Sequence, residues 1–157
     1  MKKIGPCLWF DGKAEEAANF YVSIFKNASI VDMSRYPDAA PQPKGTVMTV
    51  QFILDGQEFL ALNGGSQFTF SPAISFVVPC ETQEDVDHLW ESLLEGGQAQ
   101  QCGWLTDKFG VSWQIVPNAL MRMISSTDTA AAQRAFNAMV HMIKLDIAVL
   151  ERAYNNA

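Results

Sequence analysis

Few side chains in this sequence could do chemistry, and their spacing limits which chemistry. His88 and His141 stand far apart, and no HxH, HxxxH or CxxC pair occurs, so no local motif gathers metal ligands. Cys7, Cys80 and Cys102 are widely spaced and odd in number, which suits reduced thiols rather than a disulfide framework. A thiol nucleophile needs a neighbouring base or a depressed pKa, and no histidine is expected near Cys7. Gln114, inside the run CGWLTDKFGVSWQIVP (102–117), most needs explaining. A glutamine among large apolar residues must find partners for its amide if it is buried.

The elements that would position these groups are those of a full-cored globular chain. The 157 residues suit one domain burying roughly two thirds of its unfolded surface. Hydrophobic residues make up 48% and charged residues 18%, with four Trp and ten Phe. A net charge of -6 without any Lys/Arg cluster argues against nucleic acid and anionic membranes as partners. The start MKKIGPCLWFDG resembles a leader, but its apolar run stops at Asp11. No run reaches the eighteen or so apolar residues of a membrane span. The expectation is a soluble cytoplasmic protein.

Periodicity gives one unit written twice. A short apolar strand over 4–10 precedes a helix over 13–25, where Ala14, Ala17, Ala18, Tyr21, Ile24 and Phe25 share a face and Asp11 is placed to cap it. Strands are expected over 28–36, 46–54 and 57–63, the last two joined by Asp55-Gly56, a type I′ hairpin signal. The proline-rich loop 37–45 could form a lid. The order then recurs: a strand over 73–78, a helix opened by a Thr82/Asp85 capping box and ended by Gly96-Gly97, and short strands up to Val116. Beyond Pro117, a helical turn or two and one long helix over 128–154 are expected. Phe136, Val140, Ile143, Ile147, Leu150 and Tyr154 would form its packing seam.

A paired βαβββ arrangement ending in DKFGVSWQIVP resembles the vicinal oxygen chelate superfamily of glyoxalases, bleomycin-resistance proteins and extradiol dioxygenases. PCLWFDGKAEEAANFYVSIF and CGWLTDKFGVSWQIVP resemble its PhnB-like branch, often labelled 3-demethylubiquinone-9 3-methyltransferase. The resemblance implies an α+β fold: two βαβββ modules, about 3–63 and 72–117, whose strands curl into a cup with helices outside. These would form a domain over 1–117, with a helical extension over 118–157. It also implies that the superfamily's four metal-ligand positions fall on Gly5, Leu60, Ala73 and Gln114. Gly, Ala and Leu side chains offer no donor, so no metal and no cofactor are expected. A homodimer is expected because superfamily members often complete their cups by pairing.

Strand alternation supplies a lining for the cup. Cys7 and Trp9, Thr49 and Gln51, Leu60 and Leu62, and Ser75 and Gln114 would face inward, with Gly103 across from Gln114. The site residues expected to touch a ligand are Cys7, Trp9, Thr49, Gln51, Leu60, Ser75 and Gln114, with Trp9 as a flat wall. An apolar lining with a few hydrogen-bonding groups suits a small apolar or aromatic molecule. The bland alternative is a filled core in which Gln51 and Gln114 satisfy each other. Three functions stay open: a metal-free binder, an enzyme of unknown reaction, and the labelled methyltransferase. The only glycine pairs, Gly64-Gly65 and Gly96-Gly97, lack the GxGxxG spacing of a Rossmann-like site.

Overall fold

The computed structural model describes residues 3–157; Met1 and Lys2, at the leader-like start, lie outside the described residues. The chain forms two compact units, 1–70 and 71–157. In the first, β1 (Cys7–Phe10), α1 (Ala14–Ile24), β2 (Ser29–Arg35), β3 (Val47–Leu54) and β4 (Gln57–Asn63) give a sheet in the order β1-β4-β3-β2. In the second, β5 (Ser75–Cys80), α2 (Gln83–Leu94), β6 (Gln98–Ala99), β7 (Trp104–Thr106) and β8 (Ser112–Pro117) repeat that topology as β5-β8-β7-β6. In each sheet the first strand runs parallel to the last and the other pairs are antiparallel. The duplicated βαβββ reading therefore holds.

Each module buries one face of its sheet under its helix. Ala14, Ala17, Ala18, Tyr21 and Ile24 of α1 are buried, as are Val50, Phe52 and Leu54 of β3 and Phe59 and Ala61 of β4. Tyr21 stacks on Phe52 and Phe52 on Phe59, with ring centroids 6.2 and 5.3 Å apart. In the second module Val86, Trp90 and Leu93 of α2 are buried, as are Leu105, Trp113 and Ile115. The hairpin turn has Asp55 at φ 46° and Gly56 at φ 81°, as a type I′ turn requires. The Thr82/Asp85 capping box is present in full.

Two expectations need correction. Asp11 does not cap α1, whose N-cap residue Lys13 makes no side-chain cap either. Asn63, at the end of β4, accepts the Ala14 N–H at 2.9 Å and donates to the Val47 carbonyl at 3.0 Å. Its own carbonyl accepts from the Tyr36 hydroxyl. A residue remote in sequence thus supplies what a local cap would, a contribution of about 1 kcal/mol. That is smaller than the roughly 1.5–3 kcal/mol from burying one large side chain of α1. Packing places the helix, and the cap tidies its end.

The long C-terminal helix is broken. After α3 (Asn118–Ile124) come α4 (Thr129–Met139) and α5 (Ile147–Asn155), separated by a seven-residue turn over 140–146. The expected seam is split accordingly: Leu150 is buried, but Phe136, Val140 and Ile143 are exposed. The break lets Leu145, fully buried, join Leu120 and Leu150 in a separate apolar cluster. Its backbone groups are met from elsewhere in the second unit. Cys102 and Gly103 N–H groups donate to the Met142 and Ile143 carbonyls at 2.9 and 2.8 Å. The Gln83 amide donates to the Leu145 carbonyl at 3.1 Å and accepts the Ile147 N–H at 2.9 Å. Asp146 then caps α5 by accepting the Val149 N–H. The periodicity continues through the turn although Val140 and Ile143 there are exposed, and Leu145, outside the expected seam, makes the buried contact.

Lys144 and Gln83 also hydrogen-bond Asp87 at 2.7 and 3.1 Å. These bonds, led by that from Lys144, hold its carboxyl below the usual carboxylate range. A depressed acid contributes stability above its ordinary pKa, lost as pH falls through the folded value. Gln83→Ala should lower unfolding free energy by about 1–3 kcal/mol, because the Leu145 carbonyl and Ile147 N–H lose a partner. A lowered urea midpoint is the expected readout; an unchanged midpoint would show that the Gln83 bridge contributes nothing.

Candidate functional site

The sheet faces opposite the helices carry the residues that the sequence marks. In the first module β1 lies level with β4, pairing Cys7 with Leu60 and Trp9 with Leu62. β3 pairs Gln51 with Leu60 and Thr49 with Leu62. Cys7, Leu60 and Gln51 thus form one row, and Trp9, Leu62 and Thr49 the next, all on the helix-free face. In the second module Ser75 and Gln114 share the corresponding face.

The local chemistry differs from the expectation at several points. The Gln114 amide nitrogen donates to the Ser75 hydroxyl at 2.8 Å. Gly103 is not across from Gln114. Trp104 is, and Val77 flanks it on the other side. Gly103 instead takes φ 80°, donates to Ile143 and accepts from Ile115. A Cβ there would fall 2.8 Å from the Ile115 carbonyl oxygen and 2.9 Å from Leu145, so this bend needs glycine. Trp104, half-buried beside the amide, is a lining residue that counting back from the turn missed.

Asp32 was missed as well. β2 carries a bulge between Ile30 and Asp32, so Asp32 pairs with Gln51 and Ser34 with Thr49. The extra residue, Val31, shifts the alternation and sets an exposed carboxylate beside Gln51 on the helix-free face. Thr49 and Ser34 share a hydroxyl hydrogen bond of 2.5 Å. The Gln51 side chain has no hydrogen-bonding partner among the described residues, and the residue is only half-buried.

Trp9 is less of a free wall than expected. Its indole N–H donates to the Gly65 carbonyl at 2.7 Å, and its ring meets Phe68 edge-on at 5.0 Å. A Cβ on Gly64 would lie 2.3 Å from the ring, so that glycine packs directly on it. Cys7 is exposed, yet surrounding protein raises its thiol above the usual value by desolvation. Cys80 is buried and pushed up to about 11, by desolvation first and by Asp85 second. A raised pKa keeps a thiol protonated at neutral pH, the opposite of an activated nucleophile.

The resemblance puts metal-ligand positions on Gly5, Leu60, Ala73 and Gln114. Gly5 and Ala73 precede β1 and β5; the residues level with Leu60 and Gln114 are Cys7 and Val77. In the first module these positions offer at most one protonated thiol, and in the second one amide already bonded to serine. Such donors do not fit a divalent cation, which takes three or more protein ligands. Among the described residues no three His, Cys, Asp or Glu side chains cluster.

A family model described as 3-demethylubiquinone-9 3-methyltransferase matches residues 2–116. The chain belongs to this family. It is 42% identical to the structure of a Bacillus cereus PhnB protein that bears the same methyltransferase description. That match covers 74% of this chain and 99% of the other, with a TM-score of 0.68. A crystal structure from Pseudomonas aeruginosa, 22% identical over 74% of this chain and 98% of the other, shows the same fold at a TM-score of 0.62. No curated protein matches. The likeness to PhnB proteins read from the sequence is borne out.

Alkylation tests the thiols. Iodoacetamide should modify Cys7 ahead of Cys80, and the Cys7 rate should level off only above the ordinary thiol pKa of about 8.5. A plateau near neutrality would mean an activated thiolate. Gly64→Ala should destabilise the first module by about 1–3 kcal/mol through overpacking on Trp9, seen as a lowered melting temperature.

Proposed function

We propose that this protein binds a small apolar or aromatic molecule on the helix-free faces of its sheets, without an inherited metal ion. The observation that carries this reading is Gln51. It is an amide without a partner, set between Leu60 and Asp32 on a face where Leu62 and Trp9 follow in the next row. A mostly apolar surface with a few orienting polar groups is the usual composition of a small-molecule site. In the second module Trp104, Val77 and Gln114 supply the same mixture, with Val77 60% exposed.

The ligand-binding set is Cys7, Trp9, Thr49, Gln51, Leu60, Ser75 and Gln114, joined by Asp32 and Trp104. Leu60, Trp9 and Trp104 contribute apolar contact, while Gln51 and Gln114 fix orientation. Cys7 contributes surface rather than nucleophilicity. Asp32 favours the second reading, an enzyme without an inherited metal, because an exposed carboxylate beside an amide could accept a proton from a bound ligand. A homodimer, a cytoplasmic location and a lid role for loop 37–45 belong to the same proposal. No helix among the described residues is long and apolar enough to cross a membrane.

The test is thermal-shift screening with aromatic compounds, with and without Zn, Ni, Mn and Fe, and with S-adenosylmethionine. Shifts from organic compounds alone are expected. Gln51→Leu should weaken the best compound by about three- to tenfold, the worth of one hydrogen bond, without lowering stability. A strong shift from metal alone would overturn the metal-free reading. A shift from S-adenosylmethionine would favour the methyltransferase description, and turnover lost in Asp32→Asn would favour the enzyme.

A further inference from the structure

The first module holds a cavity on a different part of its surface. A cleft of about 440 Å³ opens where the N-terminus of α1, the ends of β2 and β4 and the proline-rich loop meet. Asp11, Glu15, Arg35, Tyr36, Gln42 and Asn63 are among its lining residues. Asn63 lies two residues beyond Ala61, on the face that packs against α1, and caps that helix. The cleft therefore lies away from the row containing Gln51.

Its three charged lining side chains, Asp11, Glu15 and Arg35, are exposed and form no ion pair among the described residues. Asp11 and Glu15 form no ion pair or side-chain hydrogen bond among the described residues, whereas neighbouring Lys13 is taken by Glu16 at 2.7 Å. Lys44, on the loop, is taken by Asp38 at 3.0 Å. The Arg35 guanidinium has no carboxylate partner; it donates to the Gly45 carbonyl at 2.8 Å and makes a long contact with Met33 sulfur. That leaves part of its five-donor fork available. The Gln42 side-chain oxygen is shut off from solvent and has no hydrogen-bond partner. An orphaned buried acceptor is costly, and a turn of the Gln42 side chain into the cleft would let this oxygen meet a ligand donor.

We infer that this cleft is a binding site for a small zwitterion of the amino-acid class. The ligand's ammonium would meet Asp11, Glu15 and the Gln42 oxygen, and its carboxylate would meet Arg35. A bare amine would leave Arg35 unmatched, and a simple carboxylate would face two acidic groups. The zwitterion alone satisfies all three demands: two carboxylates, one guanidinium and one acceptor lacking a donor. Asn63 and Tyr36 hold the walls, since the Tyr36 hydroxyl donates to the Asn63 carbonyl.

Calorimetric titration of the full chain with the common free amino acids, followed by the N-acetyl and amide derivatives of the best binder, tests this. One or more free amino acids should bind, and each derivative should bind about tenfold more weakly or worse, because each loses a charge-assisted contact. Asp11→Asn with Glu15→Gln, and separately Arg35→Gln, should weaken binding similarly. Gln42→Leu should weaken it while leaving the melting temperature equal or higher, which separates lost recognition from lost folding. Gln51→Leu should change nothing here, so failure of this site and failure of the helix-free face are distinguishable. No binding at millimolar concentration by any amino acid would overturn the inference. So would derivatives that bind equally well, or affinity indifferent to the cleft variants.

Discussion

Side chains on a strand alternate between two faces, and each sheet in this protein has a helix over one of them. That constraint sorts the strand residues into a core set and an open-face set. Phe52, Phe59, Trp113 and Ile115 go under helices and supply the apolar burial on which the modules depend. Gln51, Leu60, Gln114 and Trp104 are left on the opposite faces, where polar and apolar groups mix. A face that is neither fully apolar nor freely charged contributes little to folding, so its composition is free to serve recognition. Gln114 stands in an apolar run because its neighbours alternate toward the helix while it does not, and Ser75 satisfies its amide.

Interruptions of the alternation are where the faces acquire their particular chemistry. The bulge in β2 turns Asp32 toward Gln51, and the glycine bend before β7 seats Trp104 rather than Gly103 opposite Gln114. Both depend on single-residue shifts, and a slip of one residue carries a side chain to the other face. The same bend anchors the turn over 140–146 through the Cys102 and Gly103 N–H groups. In the second unit, one irregular segment thus serves both the open face and the docking of the C-terminal helices.

Polar side chains acting at long range do much of the remaining work. Asn63 caps a helix from a distant strand, Gln83 splints the break between two helices, and Asp107 organises the last hairpin. The Asp107 carboxylate is buried and accepts from the Phe109 and Val111 backbone N–H groups and the Trp113 indole N–H at 2.8, 3.0 and 2.8 Å. Each satisfies several groups that would otherwise be stranded, so the strength of these sites is in avoided penalties rather than added attraction. In the cleft beside α1, among the described residues, Asp11 and Glu15 lack an ion pair, Arg35 lacks a carboxylate partner and the Gln42 oxygen lacks a donor.

By itself the sequence determined the order of elements, the duplicated module, the type I′ hairpin, the capping box of α2 and the core faces. Each is dictated by residues within a few positions of one another or by a short period. It also determined that Gly5, Leu60 and Ala73 bring no donor atoms. Only the tertiary structure decided which strand position faces which neighbour across a bulge, that Asn63 replaces Asp11 at α1, and that the tail breaks. These outcomes rest on hydrogen bonds between residues remote in sequence, such as Gln83 with Leu145 and Ile147. A local period continues unchanged through such a contact, so nothing in the spacing of the residues could announce it.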